Sequence, residues 1–209
     1  GILMLEAKFP RIPGDVGNAG TWPFPVQYRV VPGATPKRVV LERAKDLLTP
    51  FINSAKDLVN SGADGITTNC GFLSLFQNEI ARSVNVPVVT SSLMQVSLVN
   101  TILPPNKFAG IITISAKTLS KEHLNKANVP IETPIVGTDE EGEFSKVVLK
   151  NKYELDYNLA KQDIINASKE LVKNNKQIGA IVLECTNMVP FAADIRKSLG
   201  LPVFSIYNF

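Results

Sequence analysis

Residues 178–205, IGAIVLECTNMVPFAADIRKSLGLPVFS, decide the fold. The run 179–183 is short and apolar, as a buried strand is. It ends on Glu184, Cys185, Thr186 and Asn187, polar or reactive residues that core packing does not ask for. Residues 63–90, ADGITTNCGFLSLFQNEIARSVNVPVVT, lie over this stretch without a gap at an offset of 115. Seven of the 28 pairs are identical, Cys70/Cys185, Ile80/Ile195 and Pro87/Pro202 among them. Chance at ordinary composition predicts about two. The likeness continues backwards at an offset of 113, where NSAKDLVNSG (53–62) matches NASKELVKNN (166–175). A helix–strand–Cys–helix–strand unit therefore occurs twice.

Working outward, apolar runs at 2–5, 65–68, 86–89, 108–114, 180–183 and 202–206 read as short buried strands. Between them, 47–60 and 159–173 carry apolar residues at helical spacing. The alternation predicts an α/β fold of two pseudo-symmetric lobes, each an open, mainly parallel sheet flanked by helices, with the site in the cleft between them. The expected division is 1–90 plus 199–209 for the first lobe and 91–198 for the second. Residues 10–36 carry Pro10, Pro13, Pro23, Pro25, Pro32 and Pro36 and read as a long loop, a lid or a binding loop. TDEEGE (138–143) reads as a solvated turn.

Composition excludes several classes. At 209 residues, 44% hydrophobic and 20% charged, the chain can bury a real core. A net charge of +3 with scattered lysines gives no footprint for nucleic acid. No apolar run is long enough to span a membrane, and the N-terminal residues do not read as a signal peptide. Two cysteines make no disulfide framework, so a reduced, cytoplasmic protein is expected. His123 is the only histidine, too few for a zinc site, and its polar setting SKEHLNKAN suggests a solvated surface residue. GDVGNAG does not fit a dinucleotide fingerprint, since no helix pattern follows it.

A single cysteine near a strand end is usually a small core residue. Two at matched repeat positions, each where a strand hands over to a helix, stand where ligands bind in open α/β sheets. The motifs TTNCGF (67–72) and ECTN (184–187), the duplicated lobes and ISAKT (114–118) resemble the aspartate/glutamate racemase superfamily over nearly the whole chain. The resemblance implies a cofactor-independent racemase or epimerase acting at Cα of a small carboxylic amino acid, with no metal. Cys70 and Cys185 would be its acid/base pair, one thiolate removing the proton while the other thiol returns one from the opposite face. Asn69, Gly71, Thr186 and Asn187 beside the thiols, and Ser115 and Thr118 in the second-lobe turn, would bind the substrate. Arg11 could clamp its carboxylate bidentately, and Asn18 is a further candidate in the same loop. A homodimer is the family's usual assembly.

The chain departs from the family at Asn187, where glutamate racemases carry His and aspartate racemases often carry Glu. Glu184 is not expected to take a catalytic role, because strand alternation turns it from its neighbour's face and a close carboxylate opposes a thiolate. Glu6 stands at the end of the first strand, where the family has an acid. Ser91 and Ser92 face the cleft or cap the next helix. Aspartate or glutamate is the first expected substrate class and hydantoins the second. Alternatives are a maleate-type cis-trans isomerase or a non-catalytic small-acid binding protein; the presence of both cysteines counts against a malonate-type decarboxylase.

Overall fold

Eight short strands form two parallel sheets in the computed structural model, which describes residues 1–209. β1 (Ile2–Met4), β2 (Tyr28–Val30), β3 (Ile66–Thr68) and β4 (Val88–Val89) make the first sheet, in the order β2-β1-β3-β4. β5 (Phe108–Thr113), β6 (Ile135–Gly137), β7 (Ile178–Leu183) and β8 (Val203–Phe204) make the second, in the order β6-β5-β7-β8. Each sheet thus repeats the other's strand order. The central strands are apolar on both faces because both faces are covered: Ile2, Leu3 and Met4 are all buried, as are Ala180, Ile181, Val182 and Leu183. Edge strands β2 and β6 escaped the sequence reading. Tyr28–Val30 is largely exposed and Ile135–Gly137 only half-buried, so neither carries an apolar run.

Seven helices cover the sheets: α1 (Leu48–Asn60), α2 (Gln77–Ser83), α3 (Val96–Ile102), α4 (Lys121–Lys126), α5 (Glu143–Leu149), α6 (Tyr157–Asn174) and α7 (Ala192–Leu199). α1 buries Phe51, Ala55 and Leu58, one turn apart on one face. α6 buries Ala160, Ile164, Ala167 and Leu171 in the same way. Its first turn is capped by Asp156, whose carboxylate accepts the Asn158 and Leu159 N–H groups at 2.9 and 3.1 Å. α7 stops at Gly200, whose φ of 67° lies in the left-handed region that glycine adopts without steric cost.

The lobes exchange their ends. β8 pairs with β7, so residues from 199 onward, assigned from sequence to the first lobe, carry a strand of the second sheet. Only the turn beyond it returns, where Ile206 packs with Ile2, Met4 and Val16 of the first lobe. Beside it, Ser92 follows β4 and donates its hydroxyl to the Leu183 carbonyl at 2.5 Å. One continuous apolar cluster of 47 buried residues runs through both lobes, so they share a core. Residues 10–36 are not a free loop either: they contain β2 and bury Asp15 and Val16. No helix is long and apolar enough to cross a membrane.

Candidate active site

The sheets end alike. Past β3, the Asn69 N–H donates to the Leu3 carbonyl at 3.0 Å; past β7, the Glu184 N–H donates to the Ile112 carbonyl at 2.9 Å. Each central strand of a lobe so fixes the residue before that lobe's cysteine. Cys70 and Cys185 follow, and each opens a short 3-10 segment, Gly71–Phe76 and Thr186–Phe191. These segments then meet across the lobe boundary. The Thr186 hydroxyl donates to the Asn69 carbonyl, and Gly71 lies against Glu184. A Cβ at Gly71 would sit 2.5 Å from Glu184 Oε1 and closer still to the Glu184 carbonyl, so only glycine fits this approach. The residue after each cysteine thus packs on the residue before the other.

Both thiols are free and buried, Cys70 8% and Cys185 7% exposed. Burial pushes both well above the ordinary thiol range, and Glu184 pushes both further. Cys70 itself raises Cys185, which places the two sulfurs within electrostatic reach of each other. Each sulfur faces the backbone N–H two residues on, Phe72 for Cys70 and Asn187 for Cys185, and these dipoles favour the thiolate. The surroundings otherwise differ. The Arg11 guanidinium favours ionisation of Cys70, whereas Asp15 opposes it at Cys185. Cys185 Sγ donates to Asn187 Oδ1 at 3.6 Å, a contact only the thiol makes.

The proline-rich segment supplies this asymmetry. Asp15, 2% exposed, accepts from Arg11 Nη1 at 3.3 Å, from the Gly17 N–H at 2.7 Å and from Asn187 Nδ2 at 2.7 Å. A chain of contacts therefore runs from Arg11 through Asp15 and Asn187 to Cys185. Arg11 stacks on Phe9 at 4.3 Å, and its buried Nη2 has no partner. Asn18 does not join the site: its Nδ2 donates to the Arg11 carbonyl and its Oδ1 caps the Gly20 N–H, both of which shape the loop. Asn69 Oδ1 accepts the Leu5 N–H at 2.8 Å, leaving Nδ2 buried and unpartnered. Ser115 and Thr118 line a cavity of about 640 Å³ with Thr35, Lys37, Lys117 and Asn151, beyond the carboxyl end of β5. Thr118 Oγ1 is buried there without a partner. A second cavity, about 660 Å³ and walled by Gly1, Trp22, Phe24, Val26 and Gly65, lies at the amino ends of β1 and β3, away from both thiols.

Three expectations need correction. Glu184 is not turned away from the cysteine segments: it lies against Gly71. It is fully buried, Oε2 accepts the Thr113 hydroxyl at 2.7 Å, and Oε1 has no partner. Burial pushes its carboxyl up to about 8 although the Thr113 bond works the other way. Alternation misled because both sides of this strand end are interior, the second facing the other lobe. His123 is fully buried rather than solvated: its Nδ1 accepts the Ser120 N–H at 3.1 Å and its ring meets Phe72 edge-on at 5.1 Å. Burial, with help from Arg43, holds it down to about 4, so it is neutral. Glu6 is exposed, accepts the Gly33 N–H at 2.9 Å and stays outside the site. Ser91 caps the turn after β4, bonding the Leu93 N–H. No group of three or more His, Cys, Asp or Glu side chains is placed to hold a metal ion.

The two parallel sheets take the fold of solved amino-acid racemases and of an arylmalonate decarboxylase. Aspartate racemase of Picrophilus torridus superposes with a TM-score of 0.53 at 16% identity over 86% of this chain and 74% of that one. Arylmalonate decarboxylase superposes at 0.57 and 14% over 97% and 85%. No protein-family model matches. The sequence relatives carry another name. A dimethylsulfoniopropionate lyase of Durusdinium sp. clade D is 27% identical over 98% of this chain and 70% of its own length. Dimethylsulfoniopropionate lyases 7 and 6 of Emiliania huxleyi are 31% and 30% identical over 98% of this chain. The chain spans 62% and 56% of those two relatives. These names overturn the expected amino-acid racemase, which the shared fold and the paired thiols had suggested. Relatives and fold neighbours alike indicate an enzyme.

Proposed function

We propose that the chain is a lyase that splits dimethylsulfoniopropionate into acrylate and dimethyl sulfide. The observation that carries this reading is the match, over 98% of the chain, to lyases of that name. The chemistry is what the site's thiols suit. A base takes the proton from Cα, beside the carboxylate; the C–H electrons form the new double bond to Cβ; the Cβ–S bond breaks, and its electron pair leaves on neutral dimethyl sulfide. The proton stays on the base until water removes it. This is the first half of a racemase's work at Cα, with no proton returned. One base is enough.

Cys70 is the better base. Each sulfur has one backbone N–H favouring its thiolate; Arg11 adds to this at Cys70, while Asp15 and the bond to Asn187 Oδ1 keep Cys185 a thiol. Burial alone would hold both sulfurs protonated at neutral pH. The substrate's own sulfonium cation offsets this, since a nearby positive charge favours the anion. Arg11 Nη2 and Asn69 Nδ2, both buried and unpartnered, are the donors for the substrate carboxylate. Two free thiols fit a reducing, cytoplasmic setting. The test is direct: reduced protein is given dimethylsulfoniopropionate, with dimethyl sulfide followed by gas chromatography and acrylate by proton NMR. Matching appearance of both products supports the lyase; absence of both retires it.

A further inference from the structure

We propose that Glu184 works as a neutral carboxylic acid, donating a hydrogen bond from Oε1 to the carboxylate of the ligand and forming, with Asn69 Nδ2, a two-donor cradle between the thiols. The proposal rests on the lyase reading for the identity of the ligand and on the duplicated geometry for the cradle. Asn69 and Glu184 are equivalent residues of the two repeats, each held by a backbone bond to its lobe's central strand. Each spends one side-chain oxygen on its own lobe, Asn69 Oδ1 on the Leu5 N–H and Glu184 Oε2 on the Thr113 hydroxyl. Each then leaves its other polar atom buried with no partner. Unspent buried polar atoms are rare because each costs desolvation without return. Two at matched positions, each beside a site thiol, mark a place where a ligand completes them.

Charge decides which hydrogen-bonding role Glu184 plays. No lysine, arginine or histidine pairs with its carboxyl. The titratable groups that face it are the two thiols, Cys70 across the lobe boundary and Cys185 on its own segment. Its other polar neighbours are the hydroxyls of Thr113 and, beside Gly71, Ser91. Arg11 and Asp15 face the thiols instead. An isolated carboxyl in such a place keeps its proton, in line with its rise to about 8. With Oε2 already accepting, the proton sits on Oε1, the unpartnered atom that lies beside Gly71. As the Cα–H bond breaks, negative charge spreads onto the carboxylate oxygens, and a donor aimed there stabilises the transition state. A carboxylate at this position would repel the same charge.

Acrylate, which stays ionised at every pH used, serves as the probe, its affinity measured by calorimetry from pH 6.5 to 9.5. Wild-type affinity should fall by at least about tenfold across this range as the donor is lost. Glu184→Gln, whose amide donates at any pH, should change less than about twofold over the same range, and Glu184→Leu should bind weakly throughout. Infrared difference spectra of the wild type, independent of any variant's folding, should show a protonated-carboxyl stretch that titrates near pH 8 and shifts when acrylate binds. No acrylate binding at pH 6.5, a pH dependence that persists in Glu184→Gln, or an absent or unshifted stretch would each overturn the proposal. Failure of dimethyl sulfide release with this pattern intact would instead retire the lyase reading alone.

Discussion

The two lobes share one strand order and one cysteine position, yet they prepare their thiols differently. The first lobe places Cys70 between Asn69 and Gly71, toward Arg11; the second places Cys185 between Glu184 and Thr186, toward Asp15 and Asn187. Burial raises both thiols; a cation tempers this at Cys70, and an anion deepens it at Cys185. The scaffold thus repeats while the charges around it do not, an asymmetry that suits the proposed elimination by one base.

The sharpest way to break this comparison is to remove each sulfur in turn. Cys70→Ser should lower kcat/KM for dimethyl sulfide release by about 10³-fold or more, the scale of a lost general base. Cys185→Ser should cost only about tenfold, since its thiol abstracts no proton in this reading. Equal losses would make the lobes functional equals. Arg11→Gln removes a charge-assisted donor and the cation facing Cys70; kcat/KM should fall about a hundredfold, with the pH optimum moved upward as the thiolate loses support.

Smaller effects sharpen the comparison through stability. Glu184→Gln should stabilise the protein at pH 8 to 9 by on the order of 3 kcal/mol. The sign follows from its folded pKa lying above the ordinary 4.5: stability is fully present below 4.5 and is lost as pH rises toward about 8. Denaturant melts at pH 5 and pH 9 check this, and equal gains at both would refute it. His123 runs the other way, lowered from 6.5 to about 4, so its contribution is lost as pH falls through that interval. His123→Gln should flatten the acid limb of the stability curve. At the crossing, Gly71→Ala should cost about 1–3 kcal/mol through backbone displacement. Thr186→Val, which removes only the hydroxyl bond to the Asn69 carbonyl, should cost about 1 kcal/mol. Unfolding midpoints at pH 7 compare them.

Much of this was legible in the chain itself. The offset of 115 located both cysteines, and the apolar runs located the central strands, because buried parallel strands have no polar face to hide them. Edge strands β2 and β6 were not legible: Tyr28–Val30 is held by backbone bonds to β1 while its side chains are largely exposed. Glu184 and His123 were misjudged for one reason. Polar residues are assigned to solvent by default, and the sequence does not say that one lobe covers the other at these points. The signal that could have found Glu184 was its equivalence to Asn69 in the repeat. The racemase expectation failed elsewhere, since two matched cysteines look the same in sequence whichever reaction they serve.

The meeting of Gly71 with Glu184, and of Thr186 with Asn69, has an evolutionary consequence. A half-length ancestor pairing with its own copy would have carried the same residue on both sides of its axis. It could offer a ligand two amides or two acids, never one of each. A single chain carrying both copies is free of that identity, and this one has Asn69 on one side and Glu184 on the other.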